Sequence, residues 1–321
     1  MLHDVMDHYG LHRDFRHAGF FETEQYQLLF TELKTAIRQG QLVAVSGIVG
    51  CGKTTLLQRI QEELAREKDI LVARSLAVDK DRVNLGTLIM ALFYDLATEK
   101  DVKIPTQAEK RERQLLDLIK RRHRPIALFV DEAHDLHGKT LTGLKRLMEL
   151  VRHQGDILAV VLAGHPKLKN DLRRPSMEEI GARATVLTLD GIQGQQRAYI
   201  TWLLEQCAPA DPEAILAPEA IDLLAYSLAT PLQVEQYLTL ALEAAYRAGQ
   251  KPITPEIISS VLAKGLNDIE PTLARHGYGP KALAEVLQVR PAEIRAFLRG
   301  SLPAGRTQEL QNALRAVGLP L

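Results

Sequence analysis

A glycine-rich segment followed by a lysine and two threonines carries the strongest chemical signal in the chain. In "GIVGCGKTT", Gly47, Gly52, Lys53 and Thr54 fill the spacing G-x-x-x-x-G-K-[ST]. Glycines so placed let backbone N–H groups turn inward around phosphate oxygens, at the positive end of the following helix. The lysine reaches the β- and γ-phosphates, and the threonine hydroxyl binds Mg²⁺. The segment predicts a site for ATP and Mg²⁺ with contacts from Gly47, Gly50, Cys51, Gly52, Lys53, Thr54 and Thr55.

Two adjacent carboxylates follow an apolar run in "IALFVDEAHDL". We expect Asp131 to bind Mg²⁺ together with Thr54, and Glu132 to orient and deprotonate the attacking water. The alternative is that one of these acids is a helix N-cap, but capping needs only one acid and does not explain the presence of the second. The histidines of "DEAHDLHG" raise another alternative, a zinc site at His134 and His137, although their spacing differs from H-E-x-x-H.

Hydrolysis also needs polar groups beside the terminal phosphate. The run "ILAVVLAGH" ends in His165, for which a simple turn residue ahead of Pro166 is the alternative. Farther on, Arg173, Arg174 and Arg183 precede the run "ATVLTL". An arginine at such a place can neutralise transition-state charge on the nucleotide of a neighbouring subunit. Of the three, Arg183 is the preferred candidate, with a plain surface charge as the alternative.

These residues follow short apolar runs that must form the scaffold of the site. The runs are "LVAVS", "ILVARSL", "IALFVDE", "ILAVVLAG" and "ATVLTL". They lack polar alternation and are separated by amphipathic helical patterns, which predicts a buried parallel sheet sandwiched by helices, an α/β fold. Before them, "TEQYQLLFTELKTAIRQG" predicts a helix closed by Gly40.

Four regions follow from these patterns. We predict an N-terminal segment (1–40), an α/β core (41–190), an all-helical region (191–268) and a C-terminal helical domain (271–321). The segment "NDIEPTLARHGYG", with one proline and two glycines, is expected to be a linker before the last region.

Composition limits the classes of partner. The chain has 321 residues with 40 basic and 40 acidic side chains, so a DNA-binding surface must be local. Two cysteines are too few for a disulfide framework and favour a reducing compartment. The longest apolar run, 157–164, is too short to span a bilayer. We therefore expect a cytoplasmic protein with no membrane partner.

The C-terminal region contains a pattern of its own between residues 280 and 300. Its apolar spacing is that of a helix-turn-helix, carried by Leu283, Ala284, Leu287, Val289, Ile294 and Phe297. Arg290, Arg295 and Arg299 would be exposed, and residues 271–321 hold seven Lys or Arg against three Asp or Glu. Local positive charge of this kind suits phosphate contacts. A small helical oligomerisation or docking module is the alternative, because Gln288 occupies the usual place of a turn glycine.

The order of these parts resembles the AAA+ ATPases over about residues 18–265. The segments "GFFETEQYQLLFTEL", "FVDEAHDL" and "VVLAGHPKL" are similar to the transposition-regulator group that includes the phage Mu B protein, and the last two also to secretion-associated ATPases of the ExeA/GspA type. The resemblance implies a P-loop AAA+ fold in which His165 is the sensor-1 residue and Arg183 the arginine finger. It also makes 191–268 the AAA+ lid.

Two features of the chain acquire a role through this resemblance. In "HGKTLTGLKRLMELV", the cations Lys139, Lys145 and Arg146 would face a central DNA in a ring or filament, with a solvated helix face as the alternative. In "ATPLQVEQYL", Leu232 or Gln233 stands where many AAA+ lids carry a sensor-2 arginine. This departure predicts slow hydrolysis that is stimulated by DNA or a partner.

The resemblance implies an ATP-dependent regulator of DNA transposition that forms a ring or helical filament on double-stranded DNA. It would recruit or activate a transposase of DDE type and be released by ATP hydrolysis. The alternative is an ExeA/GspA-type secretion-associated ATPase. Such proteins usually continue into a membrane span, whereas the basic C-terminal region here favours DNA. A nucleotide-gated signalling protein without DNA is a third class, which leaves that region unexplained.

Overall fold

The computed structural model of the chain describes residues 3–75, 83–97, 104–262 and 269–319. Leu76, at the end of the second predicted strand, and residues 263–268, at the end of the predicted lid, lie outside the described residues. The described chain divides into two compact units. The core unit comprises Glu24–Gly47 and Gly52–Leu189, and the helical unit comprises the described residues of Met1–Thr23, Ile48–Cys51 and Asp190–Leu321.

A five-stranded parallel sheet organises the core unit. The strands are β1 (Leu42–Ser46), β2 (Leu71–Arg74), β3 (Ile126–Val130), β4 (Leu158–Gly164) and β5 (Ala184–Thr188). Their order across the sheet is β2-β3-β4-β1-β5, and every pairing is parallel. Every residue of β1, β3 and β4 is buried, because these central strands are apolar on both faces. The predicted α/β fold with a parallel sheet is confirmed.

Eight helices precede the end of β5 in the described chain. They are α1 (His3–Tyr9), α2 (Glu24–Arg38), α3 (Lys53–Glu67), α4 (Leu85–Leu96), α5 (Ala108–Arg122), α6 (Gly138–His153), α7 (Pro166–Leu172) and α8 (Glu178–Gly181). Apolar residues of α4, α5 and α6, among them Leu92, Ile119 and Leu144, form one core with the strands. Each fully buried leucine or isoleucine contributes about 1.5–3 kcal/mol to the stability of this packing.

The helical unit contains a bundle after the sheet. Its helices are α9 (Gln196–Cys207), α10 (Pro212–Ile215), α11 (Pro218–Ser227), α12 (Pro231–Ala248) and α13 (Pro255–Leu262). Val5 and Tyr9 of α1 are buried in the same core as Ile200, Leu238 and Leu242. One isolated parallel bridge joins Leu216 to Ile253, so the predicted lid is helical apart from this pairing among its described residues.

The C-terminal module, defined as residues 269–319, has a small core of its own. Its helices are α14 (Ile269–Arg275), α15 (Pro280–Leu287), α16 (Pro291–Leu298) and α17 (Ala304–Ala316). Leu273, Leu283, Ile294, Phe297 and Leu314 meet in this core. Across the described helices of the chain, no apolar stretch is long enough to cross a bilayer.

The prediction of a linker before this module is wrong for residues 269–275, which form α14. Pro271 lies in the first turn of the helix, where a missing N–H breaks no intrahelical bond. Leu273 is fully buried in the core of the module, so this segment is a packed part of the module. Gln288 follows α15 with a φ of 54°, so it adopts the left-handed conformation that a glycine would adopt more easily.

Candidate functional site

The predicted catalytic residues follow adjacent strands of the core unit. β4 lies between β3 and β1 in the sheet. Asp131 and Glu132 follow β3, His165 follows β4, and Gly47 follows β1. Because the carboxyl ends of parallel strands meet at one edge, these residues converge there, as ligand-binding residues do in open α/β sheets. The Gly47 N–H donates to the carbonyl of Gly164 at 3.1 Å, which ties the ends of β1 and β4 together.

Lys53 is the first residue of α3, and its side chain reaches back to Gly47 at the start of the glycine loop. Its side chain is buried, and Nζ donates to the Gly47 carbonyl at 2.9 Å. Gly52 precedes the helix with a φ of 100° and makes no side-chain cap, so no N-cap side chain stands over the first turn of α3. A Cβ added at Gly52 meets nothing within 4 Å, so the space beside the loop is open. This arrangement fits a phosphate group.

Thr54 and Asp131 meet as the pair expected for Mg²⁺. Thr54 Oγ1 donates to Asp131 Oδ2 at 2.8 Å, and Asp131 Oδ1 accepts the Glu132 N–H, also at 2.8 Å. Two adjacent oxygen ligands at about 2.0–2.1 Å from an octahedral Mg²⁺ stand about 2.8–3.0 Å apart, so this hydroxyl and carboxylate fit the ion. Thr55 is exposed on the next position of α3.

Glu132 has a strained backbone. Its φ of 55° places a non-glycine residue in the left-handed region, a conformation that concentrates at functional sites. Its side chain is about one quarter exposed, at 27%, and Oε2 lies 3.4 Å from His134 Nδ1 and 3.7 Å from His165 Nε2. The carboxylate is therefore accessible, and two imidazoles face it.

The two histidines form a stacked pair. The rings of His134 and His165 have centroids 3.8 Å apart and an interplanar angle of 25°. Burial lowers the pKa of His134, against the opposing influence of Asp135 and Glu132, and so favours its neutral form. The sequence-based alternative paired His134 with His137, but His137 is exposed at the start of α6 while His134 lies against His165.

The apex of the glycine loop, Ile48–Cys51, belongs to the helical unit. The Leu232 N–H donates to the Gly50 carbonyl at 3.4 Å, and the Val49 N–H donates to the Arg275 carbonyl at 3.1 Å. Gly50 has a φ of 81°, and a Cβ there would meet Leu232 at 2.6 Å, so only glycine fits. Cys51 is buried. The contact with Arg275 was missed because that residue lay in the presumed linker.

The lid residues at the predicted sensor-2 place have other roles in the structure. Gln233 is buried and completes a capping box with Thr230 at the start of α12. Its side-chain oxygen accepts the N–H groups of Ala229 and Thr230 at 2.9 and 3.3 Å. Leu232 places an apolar side chain over Gly50. Neither position supplies a cation.

Arg183 lies at the far edge of the sheet from Gly47. Leu42 pairs with Ala184 and Ser46 with Thr188, so Arg183 is one strand length, roughly 16 Å, from the end of β1. Its guanidinium is largely exposed and bonds Glu149 at 2.7 Å. Arg174 instead bonds Asp171 at 2.9 Å, and Arg173 is exposed after α7. Arg183 is thus too far from Gly47 to serve the same subunit.

The three cations of α6 have different surroundings. Lys139 and Arg146 are exposed, as expected for residues that contact DNA. Lys145 is buried, and its ammonium bonds Glu179 and lies 3.3 Å from Glu149. The hydrogen bond to Glu179 raises the pKa of Lys145 above its usual value. The predicted set of DNA-facing cations is therefore corrected to exclude Lys145, because its turn of α6 packs beside α8.

The C-terminal arginines are at the surface of their module. Arg290, Arg295 and Arg299 are all exposed on or beside α16. By contrast, Arg306 on α17 bonds Glu293 and Glu309, which raises its pKa. The buried residues of α15 and α16 are those of the predicted apolar spacing.

The sheet order, the loop after β1 and the acid pair after β3 define a P-loop AAA+ fold. Residues 37–172 match the family model described as an AAA domain. The general secretion pathway protein A of Aeromonas hydrophila is 27% identical over 226 residues, which cover 68% of this chain and 40% of that protein. The chain therefore spans less than half the length of this relative.

Two solved structures share the fold. The Aeropyrum pernix ORC2 protein, in ADPNP–ADP complexes, is 14% identical with a TM-score of 0.55, over 97% of this chain and 91% of that one. The Aeropyrum pernix ORC1 protein in complex with DNA is 14% identical with a TM-score of 0.51, over 94% and 85% of the two chains. These similarities establish the architecture of the chain.

Proposed function

We propose that this protein is an ATPase whose ATP-bound form assembles on double-stranded DNA, regulates a DDE-type transposase and is released by hydrolysis. Lys53 would bind the phosphates, Thr54 and Asp131 would hold Mg²⁺, and Glu132 would activate water. The region from 37 to 172 that matches the AAA domain supports the nucleotide chemistry. The link to transposition is supported by the resemblance of the N-terminal and acidic segments to that group of regulators.

Self-assembly is supported by the position of Arg183. Its exposed guanidinium lies about one strand length from Gly47, so it would act on the nucleotide of a neighbouring subunit. Such an arginine stabilises the charge that develops in the transition state. Leu232 and Gln233 supply no second cation from the lid, which supports slow intrinsic turnover. His165 would contact the reacting phosphate as the sensor-1 residue.

The single observation that carries DNA binding is the exposed set Arg290, Arg295 and Arg299 on a compact helix pair. Within the described ranges none of the three forms an ion pair, so all are available to phosphates. The excess of seven basic over three acidic residues in 271–321 contrasts with an overall neutral chain. Lys139 and Arg146 would add a second contact from the core unit. The fold is also that of the Aeropyrum pernix ORC1 protein, which was solved with DNA.

Fluorescence anisotropy with a labelled duplex tests this proposal. The full chain should bind with ATP or a non-hydrolysable analogue and release the duplex with ADP. Replacing Arg290, Arg295 and Arg299 by alanine should lower the slope of log K against log salt by about 0.9 for each phosphate that the protein no longer neutralises. Arg315→Ala, an exposed arginine on α17, is the matched control. Substitution is preferable to deletion, because deletion also removes the Arg275 carbonyl that accepts from Val49.

A secretion-associated ATPase of the GspA type is the second candidate. The observation that favours it is the 27% identity to the Aeromonas hydrophila protein over 68% of this chain. This candidate predicts nucleotide binding and hydrolysis through the same residues without affinity for a duplex. If the protein binds ATP but does not bind DNA in any nucleotide state, the result favours the GspA-type ATPase over the transposition regulator.

A further inference from the structure

A group of three metal-ligating side chains lies at the carboxyl edge of the sheet in the core unit. One ligand atom from each of Glu132, His134 and His165 can be chosen so that all three lie within 4.8 Å of one another. The separations from Glu132 Oε2 are 3.4 Å to His134 Nδ1 and 3.7 Å to His165 Nε2. Ligand atoms about 2.1 Å from a tetrahedral ion stand roughly 3.4 Å apart, so the spacing suits Zn²⁺.

The donor set is also the right one chemically. Two imidazoles and one carboxylate are ligands that zinc takes in sites with an open fourth position. The side chain of His134 is 10% exposed, and its Nδ1 is buried without a hydrogen-bond partner among the described residues. A buried imidazole nitrogen with a free lone pair is costly unless an ion or a donor reaches it.

The opposite nitrogen of His134 has the partner expected around a metal. His134 Nε2 lies 3.5 Å from Asp135 Oδ2, so a small adjustment lets the N–H donate to this carboxylate. Metal-binding histidines usually donate their second N–H in this way, which fixes the tautomer and the ring orientation. Asp135 would therefore orient His134 with Nδ1 toward Glu132. The rings of His134 and His165, now stacked at 25°, would tilt as their lone pairs converge on the ion.

We propose that Glu132, His134 and His165 form an inhibitory Zn²⁺ site, separate from the Mg²⁺ site at Thr54 and Asp131. A bound Zn²⁺ takes the lone pair of the Glu132 carboxylate that would otherwise accept the proton of the attacking water. Zinc therefore holds the enzyme in its ATP-bound form. The inhibition rests on the proposed role of Glu132 as the base, whereas the binding of the ion does not.

Binding is tested first without nucleotide, using Co²⁺ as a spectroscopic substitute for Zn²⁺. The full chain should take up one Co²⁺ with the visible absorption of a four-coordinate ion, and Zn²⁺ should displace it. His134→Ala and His165→Ala should lose the absorption, and Asp135→Asn should weaken binding by about 10- to 100-fold. His137→Ala is the matched control, because this nearby histidine is exposed and outside the group.

His134→Gln retains much of the bulk of the side chain, so it distinguishes the loss of a metal ligand from the loss of packing. Circular dichroism checks that each variant is folded. No absorption from folded wild-type protein, or equal loss in His137→Ala, overturns the site.

Inhibition is tested by adding micromolar Zn²⁺ to ATP hydrolysis in excess Mg²⁺. Hydrolysis should fall in the wild type and recover when a chelator removes the zinc, while His134→Ala should resist inhibition. Co²⁺ binding without zinc inhibition overturns the regulatory role. A wild type that hydrolyses no ATP under any condition contradicts the proposed function instead, and the Co²⁺ titration still decides the metal site.

Discussion

The strand-end residues of the core unit and the arginines of the C-terminal module hold their functional groups in opposite ways. Lys53 is buried and bonded to Gly47, and Glu132 has a strained backbone between two imidazoles. Arg290 and Arg295 are exposed on a small module. The first arrangement holds a few groups in place by burial and hydrogen bonds, and catalysis requires such positioning. The second offers exposed charges, which suits phosphates along a duplex.

This difference predicts how each region responds to substitution. A change among the strand-end residues should alter the rate by orders of magnitude, because each group has one role and no substitute. A change among the exposed arginines should alter affinity in small, nearly additive steps that depend on salt. Arg183 combines features of both groups, because its side chain is exposed and yet is proposed to act in catalysis.

Arg183→Ala should have the largest effect. We expect the rate of ATP hydrolysis to fall by about 10³-fold with ATP binding retained, the effect of losing an arginine finger. Mixing this variant with Lys53→Ala, which keeps Arg183 but lacks the phosphate-binding lysine, should restore part of the activity. Arg174→Ala, which removes an arginine bonded to Asp171, should change the rate little. Failure of the mixture to recover activity would refute action between subunits.

Glu132→Gln should lower hydrolysis by at least about 100-fold, the usual contribution of a general base. The amide keeps the shape of the carboxylate but cannot take a proton from water. ATP binding, followed with a fluorescent analogue, should persist, and assemblies formed with ATP should not disperse. Rapid disassembly of this variant with release of phosphate would show that another group is the base.

The triple substitution of Arg290, Arg295 and Arg299 by alanine should affect DNA and leave ATP hydrolysis without DNA unchanged. The salt slope of duplex binding should fall by about 2.7, at about 0.9 for each phosphate contact. Anisotropy titrations at several salt concentrations measure this slope, with Arg315→Ala for comparison. An unchanged slope would leave the C-terminal module without a role in DNA binding and favour a docking function.

The smallest effects distinguish two lysines of α6. Lys139→Ala should lower the salt slope by about 0.9, the contribution of one phosphate contact. Lys145→Ala should not change DNA binding, because its ammonium is already paired with Glu179 and Glu149. It should instead lower the midpoint of urea denaturation slightly, because the ion pairs with Glu179 and Glu149 are lost. Equal effects of the two variants on DNA would contradict the structural distinction.

Several features of the protein were predictable from local sequence. The apolar runs and the glycine loop predicted a parallel sheet with phosphate-binding residues at its edge, because strand burial and loop geometry depend on neighbouring residues. The placement of Asp131 and Glu132 directly after an apolar run likewise fixed their position at a strand end. The helix spacing in 280–300 predicted which side chains of α15 and α16 are buried.

Other features of the protein were not predictable, because they depend on contacts between segments that are distant in sequence. His134 and His165 are 31 positions apart in sequence and meet only because β3 and β4 are neighbours in the sheet. Lys145 looked exposed by its charge, but its position on α6 faces Glu179 near α8. The helix α14 was missed because Pro271 and two glycines suggested a linker, whereas Leu273 of this helix belongs to the core of the module.

The most direct test of ATP-controlled assembly on DNA is electron microscopy of the full chain with duplex DNA. Samples should contain ATP, a non-hydrolysable analogue, ADP or no nucleotide. We predict rings or filaments on the duplex with ATP and the analogue, and none with ADP or without nucleotide. Assemblies that form equally in all four conditions, or no assembly on DNA in any of them, would contradict an ATP-controlled protein that functions on DNA.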